Sequence, residues 1–130
     1  MRKLLKEMKI LEKDIQRSIL DYLQLKKIFH WRNNSGFMFI KGADKTRGIK
    51  LGQTGSPDIF VVLPEIISIV NAGVDVKVSS DMKFGQIFGI EVKAPKGVQS
   101  DHQKNWQIEF EKAGGVYILA RSVDDIIKFL

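Results

Sequence analysis

Apolar residues return every three or four positions at Leu11, Ile15, Ile19 and Tyr22-Leu23, with lysines and glutamines between them. That period predicts one amphipathic helix over residues 3–27. Glu12 stands three residues before Ile15 and seven before Ile19, on the edge of the inward-facing stripe. The pattern then changes. Ile28-Phe29-His30-Trp31-Arg32 reads as a first strand, Asn33-Asn34-Ser35-Gly36 as a turn, and residues 37–40 as a short second strand that makes a hairpin or an edge with the first. Residues 41–55, glycine-rich and basic without a period, read as a mobile loop. Ile59-Phe60-Val61-Val62-Leu63 is a continuous apolar run between Pro57 and Pro64, the signature of a strand covered on both faces.

Residues 65–84 fit more than one element: 66–70 suit helix or strand, and 73–83 suit a hairpin or a loop on the sheet edge. Residues 86–93 form a strand. Ser100-Asp101-His102-Gln103 is a capping box opening a helix that Gly114-Gly115 ends, residues 116–120 are a strand, and Ser122 caps a last helix reaching Leu130. The order α-β-β-β-β-α-β-α predicts an α/β fold, a central mixed β-sheet flanked by helices, in one domain over residues 1–130.

Composition narrows the chemistry. The chain has 130 residues, and 44% of them are hydrophobic, enough for one packed core. No apolar run approaches the roughly 20 residues that span a bilayer, and the basic N-terminus has no continuous apolar signal segment. A cytoplasmic protein with no membrane partner is the expectation. Cysteine is absent and histidine occurs only at positions 30 and 102, which removes thiol catalysis and makes structural zinc improbable. Oxygen ligands remain, and they suit Mg2+ or Mn2+. A net charge of +6 and a pI near 9.6 suggest a polyanionic partner.

The strand Gly89-Ile90-Glu91-Val92-Lys93 carries the sharpest signal. Alternation turns Phe88, Ile90 and Val92 one way and Glu91 and Lys93 the other, about 7 Å apart. An acid and an amine on one face of an apolar strand cost free energy unless they are used. The plain alternative is an exposed edge strand with a surface ion pair. Asp58, directly before the buried strand, has its own plain role in turn chemistry. Taken together, Pro57-Asp58 and Glu91-x-Lys93 resemble the PD-(D/E)xK nuclease signature on neighbouring strands. Two such carboxylates can grip a divalent ion, and the amine can orient or deprotonate the attacking water and offset charge on phosphorus.

The stretch from Glu91 to Trp106 closely resembles the VRR-NUC nuclease family: an acid-x-lysine, a glycine, then a serine-initiated helix with a glutamine and a tryptophan. Residues 114–120 and the Asp124-Asp125 helix are similar to that family's ending. Upstream, Glu12 with Ile15-Gln16, the segment from Arg32 to Gly36, and Gly52, Gly55 and Asp58 extend the likeness over nearly the whole chain, apart from residues 65–84.

The resemblance implies a restriction-endonuclease-like fold. It implies Asp58, Glu91 and the Val92 backbone carbonyl as metal ligands and Lys93 as the catalytic amine. Glu12 would reach the metal directly or through water, with Glu7 its substitute in another helix register. Gln103 would support the lysine or a scissile phosphate, although completing the capping box would explain it alone. Arg32, Lys41, Lys45, Arg47, Lys50 and Lys96 are the candidate DNA contacts, the loop cations doubling as an ordinary solvated connection. Trp31 and Trp106 are expected in the core, and the histidines in structural or surface positions.

The function expected is metal-dependent DNA endonuclease action by a homodimer in a bacterial or phage-infected cell. The favoured substrate is a four-way, Holliday-junction-like DNA. Flaps, nicks or duplex are alternative substrates, and a non-cleaving nucleic-acid-binding module or a structural subunit are alternative functions.

Overall fold

The computed structural model describes residues 9–70 and 79–130, with side chains left out of the description at 67–70 and 79–82. Helix α1 (Glu12–Leu25) leads into β1 (Phe29–Arg32), then β2 (Gly36–Lys41), β3 (Thr46–Leu51), β4 (Ile59–Val70) and β5 (Ser79–Val92). Helix α2 (Asp101–Lys112), β6 (Val116–Ala120) and the short α3 (Asp124–Ile127) complete the order. Four strands form a mixed sheet in the order β1-β4-β5-β6, antiparallel except for the last, parallel pair. Among the described residues, strands β2 and β3 pair only with each other.

The period of the first helix holds. Ile15, Ile19 and Leu23 are its buried residues, and they meet Ile59, Val61, Phe88, Ile90, Val92, Ile118, Ala120 and Ile126 in one core. Each such side chain contributes about 1.5–3 kcal/mol when taken fully out of water. The helix starts at Glu12, later than expected, with Leu11 extended ahead of it; residues 3–8, including Glu7, lie outside the described residues. Lys27, at φ 56°, turns the chain from α1 into β1.

Alternation then divides β4 and β5 between two layers. Ile59, Val61, Phe88, Ile90 and Val92 face α1, while Phe60, Gly89 and Glu91 face α2. Gly89 leaves room for that second layer, since a Cβ there would stand 2.8 Å from the Pro57 ring and 3.3 Å from Phe110. The rings of Phe60, Trp106 and Phe110 fill the space, with Trp106 stacked on Phe110 at 4.7 Å between centroids.

Three sequence expectations change, and one left open, the third below, is resolved. The first two strands make no hairpin: β1 pairs with β4, from Phe29 opposite Val62 to Arg32 opposite Ile59. Asn33 explains why, because its N–H donates to the Asp58 carbonyl at 2.7 Å and its side-chain amide to Ser56 Oγ and the Pro57 carbonyl. Those bonds fasten the end of β1 to the start of β4, leaving the supposed turn as the root of a separate hairpin. Second, the expected loop 41–55 contains β3, so five strands precede α2 rather than four. Third, 66–70 and 79–84 are strand, extending the β4–β5 ladder out to Val70 opposite Ser79; residues 71–78 lie outside the described residues. Fourth, α3 is a single turn whose N-cap is Val123, with Ser122 contributing only its carbonyl, to the Asp125 N–H at 3.3 Å.

The aromatic expectation divides. Trp106 is half-buried, but Trp31 on the edge strand is 43% exposed, stacked on Phe60. His30 bonds the Ile28 carbonyl and His102 is exposed, as expected of structural and surface residues.

Candidate active site

Asp58 is placed by backbone first. Ile59 pairs with Ile90, and the Asp58 N–H donates to that same Ile90 carbonyl at 3.0 Å. Two residues at the start of β4 thus oppose one residue of β5, the arrangement of a β-bulge, which re-aims a side chain. Asp58 Oδ2 accepts the Val92 N–H at 2.8 Å. The carboxylate therefore lies across the end of β5, beyond the last rung of the β4–β5 ladder. The Val92 carbonyl leaves the same edge of the strand as its N–H, so it too is turned to the Asp58 side.

Gly55 sets the approach to Asp58. It has φ +85°, and a Cβ there would collide with the His102 carbonyl in the first turn of α2. Only glycine lets the loop before Asp58 press against that helix.

Glu91 is 2% exposed, next in β5 after Ile90 and on the face covered by α2. Its Oε1 accepts Gln103 Nε2 at 2.7 Å and lies 3.4 Å from Lys93 Nζ. Its Oε2 is buried with no partner among the described residues. A carboxylate oxygen left this way costs free energy unless another group completes it. Gln103 performs two jobs at once. Its Oε1 accepts the Ser100 N–H at 2.8 Å in a full capping box, and its amide nitrogen locks one oxygen of Glu91. Gln103 thus completes the cap and also holds the carboxylate oxygen that Lys93 approaches.

Burial, and then the charge of Asp58, push the Glu91 carboxyl from 4.5 up to about 7, with Lys93 opposing. Burial also raises Asp58, offset in part by the Val92 N–H and the charges of Lys93 and Arg32. Two carboxylates side by side, both raised, are short of positive charge even with a lysine beside them.

The other expected residues separate. Glu12, exposed at the start of α1, raises both carboxyls by its charge. Among the described residues, however, no group of three or more His, Cys, Asp or Glu side chains is gathered to hold a metal. A direct third carboxylate is therefore not assembled among the described residues. Arg32, opposite Ile59 in β1, adds positive charge beside Asp58. Lys96 is exposed in the β5–α2 connection. Lys41, Lys45, Arg47 and Lys50 belong to the β2–β3 hairpin, whereas the cations named beside the two carboxyls are Lys93 and Arg32.

Two supporting residues had no role assigned from the sequence. Asn33 was noted only as part of a segment, yet it fixes the backbone at Asp58. Tyr117 opposes Gly89 and so shares the Glu91 face; its hydroxyl accepts Gln99 Nε2 at 3.1 Å, and burial pushes its phenol up. Strand parity between β5 and β6 was the signal available for Tyr117.

Comparison with known protein families, curated proteins and solved structures finds no match for this chain.

The donor set suits a hard divalent cation. Oxygen donors, an orphaned buried carboxylate atom and two carboxyls raised by burial and by each other are what such an ion relieves. Asp58, Glu91 Oε2 and the Val92 carbonyl would hold it, with Lys93 beside them.

Proposed function

We propose that this protein is a metal-dependent DNA endonuclease that hydrolyses phosphodiester bonds at Asp58, Glu91 and Lys93. The observation that carries this reading is Glu91: buried, clamped at one oxygen by Gln103 and Lys93, and unsatisfied at the other. Structural carboxylates are ordinarily completed by their surroundings. Half-completed ones in a basic protein fit a Mg2+ or Mn2+ ion shared with a phosphate.

The ion, when bound, supplies Lewis-acid neutralisation of charge on the phosphodiester. The chain supplies the rest. Asp58 is held by the Val92 N–H and Glu91 by the Gln103 amide, so neither carboxylate reorganises during reaction. Lys93, with its side chain 14% exposed and its Nζ 3.4 Å from Glu91 Oε1, would orient the attacking water and offset the charge that grows on the phosphoryl group. Arg32 adds charge to the rim. The resemblance to the VRR-NUC family supports the same assignment residue by residue, and with it a restriction-endonuclease-like fold, branched DNA as substrate and a homodimer that makes paired incisions. Exposed Ile66 on β4 is available to such an interface.

Purified protein with Mg2+ or Mn2+ should cut labelled four-way junctions faster than flaps, splayed arms or linear duplex. Preference for another branched form would move the substrate assignment and keep the chemistry. DNA binding without cleavage of any form would leave a non-cleaving module. Calorimetry showing neither metal nor DNA binding would leave a structural subunit.

A further inference from the structure

The β2–β3 ladder sorts its side chains onto two faces. On one, Phe37 lies opposite Lys50, Phe39 opposite Gly48 and Lys41 opposite Thr46. Phe37 is 70% exposed and Phe39 72%. Among the described residues no third strand or helix lies on this hairpin; a hairpin alone is marginal in water, and two open phenyl rings do not stabilise it. Phe39 leans across to Gly48, where a Cβ would sit 3.6 Å from its ring, so the missing side chain leaves that ring's flank bare. Lys41 and Lys50 flank the rings, and the hairpin carries four cations (with Lys45 and Arg47) against one acid, Asp44.

The hairpin is rooted at the site. It leaves the sheet just after Asn33, whose N–H bonds the Asp58 carbonyl, and returns at Gly52, packed on the Asn34 carbonyl.

We infer that this face is a stacking platform for unpaired bases of a DNA strand whose backbone the flanking lysines hold. The choice of ligand rests on the nuclease reading. Rings about 7 Å apart on one strand face can each take a different base, and any base has a face to stack. The lysines contribute sequence-independent phosphate contacts. A second copy of the chain would suit a purely apolar face better than one on which each exposed ring lies beside a cation.

Fluorescence anisotropy in chelator, where no cutting occurs, tests this with a single-stranded oligonucleotide and a blunt duplex. Replacing both rings (Phe37→Ala with Phe39→Ala) should weaken single-strand binding about 10- to 100-fold and duplex binding far less. Phe37→Trp with Phe39→Trp should restore single-strand affinity. Circular dichroism confirms that the core, which excludes the hairpin, is intact. Unchanged single-strand affinity in the alanine variant, with cleavage by the unaltered protein intact, would overturn the platform and leave the nuclease. Failure of the unaltered protein both to bind and to cut DNA would remove both. A dimer that becomes monomeric in the alanine variant, with DNA binding unchanged, would assign the face to a second copy and overturn the inference.

Discussion

The Glu91 site and the β2–β3 hairpin are built by opposite means. Glu91 is a charge where apolar residues belong: 2% exposed, held by the capping glutamine of α2 and by Lys93, on a strand whose other face is core. Phe37 and Phe39 are apolar rings where charge belongs, 70% and 72% exposed. Each violates the rule its surroundings obey, and each violation is left incomplete by the chain itself. Among the described residues, Glu91 lacks a partner for one oxygen and the hairpin lacks a layer to pack on. Departures of this kind mark places where something outside the chain completes the structure. The two differ in what supports them. The site is fixed by two layers and a bulge, whereas the hairpin rests on its own ladder, so substitutions should separate chemistry from affinity.

The largest effect is expected at the site. Asp58→Ala, Glu91→Ala and Lys93→Ala should each lower cleavage by at least about 10²–10³-fold, and pairs should cost little more than single changes because the three act on one centre. DNA binding should survive in all three, since the hairpin carries affinity. Steady-state cleavage and anisotropy on the same preparations check this; additive losses would divide the site.

Next comes the pH dependence of the metal-free protein. The folded Glu91 carboxyl is pushed up to about 7 from 4.5, and Asp58 is raised in the same direction. Between those values the folded chain holds a proton that the unfolded chain has lost. Stability is therefore fullest below about 4.5 and falls as pH rises through 7. Melting scans in chelator should show a Tm decline over that window, reduced in Glu91→Gln. Added Mn2+ should raise Tm most above pH 7, where the carboxylates are ionised. A flat profile in the unaltered protein would mean that Glu91 is not desolvated as its burial implies.

Gln103 should give a smaller, divided effect. Gln103→Ala removes the cap and the Glu91 contact together, costing about 1 kcal/mol of stability and part of the activity. Gln103→Glu keeps an acceptor for the Ser100 N–H but sets a carboxylate against Glu91 in place of the donor, so it should recover Tm only well below pH 7, where Glu91 holds its proton, and should not recover cleavage rate. Parallel loss of both in the two variants would reduce Gln103 to a site residue alone.

How much of this was legible in the sequence depends on whether one strand's parity carried it. Asp58, Glu91 and Lys93 were readable because alternation along β5 places an acid and an amine on one face, and the structure brings them together. The capping box of α2 and the inward stripe of α1 were equally plain, being short-range patterns. The hairpin was not readable. Thr46-Arg47-Gly48-Ile49-Lys50-Leu51 has no buried face, so its polarity does not alternate against solvent, and glycine and cations suggest a loop. The pairing of β1 with β4 was also hidden, since it depends on Asn33 bonding residues more than twenty positions away. The bulge at Asp58 is a property of two strands and appears in neither alone.

The smallest expected effect is on stability at the hairpin. Neutralising Lys45, Arg47 and Lys50 together should leave Tm nearly unchanged, because among the described residues no other element packs substantially on β2 or β3. It should weaken DNA binding and shallow its salt dependence by a slope of nearly one per lost phosphate contact. A large drop in Tm with unchanged salt dependence would reverse the comparison between the two regions.

The central claim, that Asp58, Glu91 and Lys93 form a divalent-metal phosphodiesterase site, is tested most directly by one gel. Unaltered protein and Lys93→Ala are incubated side by side with end-labelled four-way junction DNA and Mn2+, with and without chelator. A nuclease of this design cuts only in the lane with unaltered protein and free metal, while Lys93→Ala still binds the junction and leaves it whole. Equal cleavage by both proteins, or cleavage that persists in chelator, would contradict it.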